Sequence, residues 1–248
     1  MLVAAAVCPH PPLLIPAATG SQETEAPAAH SEVDISLARL RAACTLAVSR
    51  LLAARMDQLI VVGADDQSRA YRATAAGSLH PYGIPFSTGT GDPILPLPLT
   101  IGAWLLRTSR SCPPRRLMLQ GVARDTATPD CLRLGARLAG AAERVGLLVM
   151  GDGPARRAVG VPGVPDPDAD TYDNELSAAF ASADAERLAV LDPALDNELL
   201  VAGRAAWQVL SGAARERRLT ARLLFAGAPL DVSYLVASWD ADDSALSD

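Results

Sequence analysis

The first sixteen residues, MLVAAAVCPHPPLLIP, constrain the chain more than any other stretch. Leu2 to Val7 is a short apolar run closed by a turn signal, which predicts a buried strand rather than a full helix. Pro9, Pro11 and Pro12 then hold φ near −65° and push the residues before them out of the helical region. His10 is thereby placed on a stiff corner at a strand end, where α/β sheets keep their chemistry.

The rest of the chain alternates helical and extended patterns. Ser31 is expected to cap a helix from about Glu32 to Arg55, with Leu37, Leu40, Ala43, Cys44, Ala47 and Leu51 as one apolar stripe. Gln58 to Gly63 predicts a second strand, parallel to the first across that helix and leaving Asp65 and Asp66 on the edge that holds His10. Ser68 to Leu99 is rich in turn residues and contains His80 and Tyr82, as a long functional loop would. Thr100–Arg107 predicts a short helix, Arg116–Gly121 a strand, Asp130–Val145 a helix, and Val145–Met150 a strand running into Gly151-Asp152-Gly153. Gly160–Asp170 carries no clear element. Helices are predicted at Tyr172–Ala183, Ala185–Leu191 and Leu195–Ser211, the last with Leu199, Leu200, Ala206, Val209 and Leu210 on its apolar side. Arg222–Phe225 and Val232–Ser238 predict two closing strands, and Asp240–Asp248 an acidic tail.

The expected architecture is therefore α/β: a single domain over residues 1–248, with a mixed, mostly parallel sheet flanked by helices on both faces and a C-terminal β pair. Half of the 248 residues are apolar, enough for a substantial core. A net charge of −6 leaves no basic stripe for nucleic acid or for an anionic membrane, so a small-molecule ligand is the expected partner. All 22 basic residues are arginine, which removes Schiff-base and P-loop lysine chemistry. The four cysteines, Cys8, Cys44, Cys112 and Cys131, form no C-x-x-C pair and read as reduced thiols of a cytoplasmic protein. The N-terminal stretch lacks a basic flank and is cut by prolines, so neither a signal peptide nor a membrane span is expected.

Four pieces coincide in order: C-P-H-P-P-L-L-I-P, V-V-G-A-D-D, M-G-D-G, and A-G-R-A-A-W-Q-V-L-S-G-A. Together they resemble the B-type chains of the class III extradiol ring-cleavage dioxygenases and their Memo-like relatives. The resemblance implies non-haem Fe(II) held by two histidines and a carboxylate, with a further histidine for proton transfer and an aromatic catechol as substrate. His10 matches the first ligand. Where the second histidine belongs this chain has Asp66, and the proton-transfer position is Ala155. The carboxylate position falls on Val201, with Glu198 the nearest acid and about one helical turn away.

A rearranged ligand set would draw on His10, Asp66, His80 and Glu198, with Asp65, Asp152, Arg156 and Tyr82 facing substrate. The bland readings are a satisfied turn histidine, turn acids bonding nearby amides, and solvated loop residues including His30. Trp207 and Trp239 read as core. Two functions stay open: an iron-dependent ring-cleaving dioxygenase, or a metal-free relative that binds a small molecule or serves as a partner chain. Family members that work with a second, smaller chain imply a homo- or hetero-oligomer, although no surface in the sequence marks it.

Overall fold

The computed structural model describes residues 1–16, 31–111, 113–155 and 166–242. The predicted loop at Thr19–His30, Cys112, Arg156, Arg157, most of the Gly160–Asp170 stretch and residues 243–248 lie outside them.

The N-terminal apolar run forms β1 (Leu2–Cys8), buried along its whole length. Helix α1 (Glu32–Ala53) begins where the sequence places its cap: the Ser31 hydroxyl accepts from the Asp34 amide and the Asp34 carboxylate accepts from the Ser31 amide. All six residues of its predicted stripe are buried. β2 (Gln58–Asp65) runs two residues beyond the predicted end. The turn-rich stretch holds β3 (Arg69–Arg72), a minimal hairpin of β4 (Gly77–Ser78) and β5 (Ser87–Thr88), and the start of α2 (Leu97–Thr108). β6 (Arg116–Ala123), α3 (Thr128–Ala139) and β7 (Val145–Met150) follow, with α3 ending at Gly140 rather than continuing to Val145. Beyond them come α4 (Pro167–Ser182), α5 (Ala185–Ala189), α6 (Pro193–Leu199), α7 (Arg204–Ala214), β8 (Leu219–Gly227) and β9 (Tyr234–Ala241).

The seven-stranded sheet has the order β3-β6-β2-β7-β1-β9-β8. β6, β2, β7 and β1 are parallel, whereas β3 is antiparallel to β6, and β9 is antiparallel to both β1 and β8. β1 and β2 are parallel as predicted, but β7 lies between them. Alternation along each strand divides the apolar residues between two cores. Ala5 and Val7 of β1 join the core packed by α3, α4, α5 and α7, and Ala4, Ala6 and Cys8 join the one packed by α1 and α2. Helices thus cover both faces. Trp207, Trp239 and Phe180 fill the first core: Phe180 meets Trp207 edge-on at 5.7 Å, and the Trp239 indole N–H donates to the Phe180 carbonyl at 2.9 Å.

Two expectations are corrected by the chain's own bonding. The predicted helix Leu195–Ser211 is two helices, because Leu200 adopts the left-handed conformation (φ 56°) and the Val201 amide returns to the Asp196 carbonyl at 2.8 Å. Leu200 is accordingly 54% exposed rather than on an apolar side. Asp240 is not tail: it sits in β9 opposite Ala4 and pairs with Arg50 at 2.6 Å. Among the described residues no helix is long and apolar enough to cross a membrane.

Candidate functional site

Parallel register builds the first half of the site. Cys8 of β1 stands opposite Met150 of β7, so two residues further on His10 meets Asp152. The His10 amide donates to Asp152 Oδ1 at 2.7 Å, and the imidazole Nδ1 lies 3.4 Å from the same oxygen. The proline corner holds this contact, with Pro11 extended at φ −66° and ψ 140°. His10 is only 4% exposed. Burial pushes its pKa below the usual histidine value, with Asp152 opposing and Arg124 adding to the fall. Burial pushes the Asp152 carboxyl up, against the pull of His10. Burial thus favours the uncharged ring, and Nδ1 makes no hydrogen bond among the described residues.

The acids leaving β2 do not join this pair. The Asp65 carboxylate is turned towards β6 and β3, where Oδ2 accepts from the Tyr71 hydroxyl at 2.6 Å and from Arg69 Nε at 3.2 Å. Its Oδ1 accepts from the Asp66 amide at 2.7 Å. Burial alone would raise the Asp65 pKa, but the Tyr71, Asp66 and Arg69 donors outweigh it and hold the carboxyl low. Gly121 makes room for this acid, since a Cβ there would lie 2.5 Å from Asp65 Oδ2. Asp65 is therefore a structural acid rather than a substrate contact.

The remaining predicted residues scatter. Asp66 is exposed. His80 is exposed on a 3₁₀ turn, with Nδ1 2.8 Å from Ser78 Oγ. Tyr82 is 52% exposed on the same turn. Glu198 faces solvent on α6. Ala155 is exposed, and its amide donates to the Leu199 carbonyl at 3.0 Å.

What sequence reasoning missed lies two residues before Glu198. Asp196 is 3% exposed and forms the centre of a polar cluster. It accepts a short hydrogen bond from the Tyr172 hydroxyl, and its other oxygen lies 2.9 Å from Arg204 Nε. Arg204 in turn donates to Gln208 Oε1 at 2.9 Å and to the carbonyls of Thr126 (3.1 Å) and Arg124 (2.5 Å). The one local hint was Gly203 ahead of Arg204, a residue that weakens a helix, and nothing in the sequence marked Asp196 as turned inward.

This cluster borders a cleft of about 180 Å³ lined by Ala64, Arg124, Asp196, Asn197, Val201 and Arg204 among others. Ala64 lies at the carboxyl end of β2 and Arg124 directly follows β6, the edge at which open α/β sheets bind ligands. Ala202, also on the lining, donates its amide to the Asp152 carbonyl at 3.1 Å. The cleft and the His10–Asp152 pair therefore share a wall. Larger hollows of about 550 Å³ beside α1 and β8, and about 430 Å³ beside Arg50 and Arg144, lie away from the parallel strands' carboxyl ends.

An iron centre of two histidines and one carboxylate does not fit these residues. His10 has one carboxylate beside it, while Asp66, His80 and Glu198 face solvent. Among the described residues no three His, Cys, Asp or Glu side chains are placed to hold a metal ion.

No family model matches the chain, and no curated protein matches it. Among solved structures it is similar to the uncharacterized protein JW3007 from Escherichia coli K12, with a TM-score of 0.54 at 13% identity. The alignment covers 95% of this chain and 99% of that one. At this identity the likeness speaks for the fold alone.

Proposed function

We propose that this protein is a metal-free, small-molecule-binding relative of the extradiol-dioxygenase type, taking its ligand at the carboxyl ends of β1, β7, β2 and β6. One observation carries the reading: His10 Nδ1 lies 3.4 Å from Asp152 Oδ1 with no second set of metal ligands beside it among the described residues, and the wall behind that pair opens into the strand-end cleft. A neutral imidazole, a carboxylate and two arginines there supply hydrogen-bonding and charged contacts for a polar ligand. Cys8, Cys44 and Cys131 are free and buried, which fits a protein of the reducing cytoplasm.

The ring-cleaving reading keeps one point in its favour, the position of His10 at the end of β1. Two measurements separate the readings. Fragment screening by NMR in the presence of a chelator should shift the resonances of Gly151–Gly153 and Asn197–Ala202, and a screen without shifts there removes the proposal. Protein mixed with Fe(II), air and a catechol should give no yellow ring-opened product. Turnover that disappears in His10→Ala would establish the oxygenase instead.

A further inference from the structure

The strand-end cleft carries more positive than negative charge. Arg204 is matched by Asp196, Gln208 and two carbonyls, and the Tyr172 hydroxyl occupies the other Asp196 oxygen. The Arg124 side chain, on the same lining, makes no hydrogen bond or ion pair among the described residues. Its planar fork of N–H donors matches an oxyanion bidentately, and no acid of the lining is left to compete for it. The cleft's volume of about 180 Å³ leaves room for a small acidic group.

We infer that this cleft binds a small oxyanion, or the carboxylate, sulfate or phosphate end of a small metabolite, through Arg124, with Asp196 adjusting the charge of the lining. This deepens the ligand-binding reading and rests on it. The adjustment follows from the groups that face Asp196: Tyr172 from α4, Arg204 and Gln208 from α7, and Asp192 ahead of α6. Burial holds its carboxyl up at about 6, with Asp192 adding and with Tyr172 and Arg204 pulling down. Protonating Asp196 removes the one negative charge facing Arg204, so an anion binds more tightly as pH falls through that value.

The test is calorimetric titration with sodium sulfate at low ionic strength, at pH 7.5 and 5.5, across which sulfate keeps its charge. Wild-type protein should bind saturably, more tightly at pH 5.5. Arg124→Ala, an exposed position, should weaken binding about tenfold or more, the loss of a charge-assisted fork. Asp196→Asn should bind with the pH difference removed. No saturable binding, or equal affinity in Arg124→Ala, overturns the inference, and a pH difference that survives in Asp196→Asn overturns the role given to Asp196. Neutral fragments that shift the strand-end resonances while sulfate does not would sink the oxyanion claim and leave the ligand-binding reading intact. Failure of both probes would sink both.

Discussion

His10 and Asp196 are both buried titratable groups, and their linkage to stability runs in opposite directions. The folded pKa of His10 lies below its ordinary value, so the unfolded chain takes up the proton first. Stability from this residue is lost as pH falls below about 6.5. The folded pKa of Asp196 is raised to about 6, so its contribution is complete below the unfolded carboxylate value near 4 and is lost as pH rises through about 6. Replacing Asp196 by Asn removes that titration. Urea midpoints measured from pH 4 to 7 should move in the variant's favour relative to wild type as pH rises, and a constant difference would show that the carboxyl titrates at its ordinary value. At this scale the sequence exposed His10 well, because three prolines leave it a single kind of corner. It did not expose Asp152 as the partner, since that contact depends on β7 lying beside β1. Nor did it expose Asp196, whose ion partner lies eight residues on, across a left-handed Leu200.

Among the elements, the junction of β7 with α7 is tightly packed. Gly151 and Gly203 lie against the Trp207 indole, and a Cβ on Gly203 would lie 2.1 Å from the ring. Gly203→Ala should therefore force the indole to move and cost about 1–3 kcal/mol of unfolding free energy, as overpacking does. Gly140→Ala provides the control, since its Cβ meets nothing nearer than 3.6 Å. Equal stability of the two variants in urea would contradict the packing described. Amphipathic α1 and the apolar strands β1, β2 and β7 were legible because period and capping are local properties. The four-residue β3 was hidden because R-A-Y-R has only Tyr71 facing inward, and its strand geometry comes from pairing with β6. The α6–α7 break was hidden because the apolar residues keep a helical spacing through it.

The molecule as a whole places four parallel strands side by side with their carboxyl ends on one edge, so residues far apart in sequence meet there. Fold class and the closing antiparallel pair could be read from the alternation of elements. Strand order could not, because inserting β7 between β1 and β2 is a matter of long-range packing. That insertion gives His10 a carboxylate neighbour just beyond β7 and leaves Asp65 of β2 on the far side, bonded to β3. An anaerobic Fe(II) titration of chelator-treated protein, followed by calorimetry beside His10→Ala, tests the metal-free reading most directly. Neither protein should take up iron saturably, whereas one equivalent bound tightly by the wild type and lost in His10→Ala would contradict the metal-free reading.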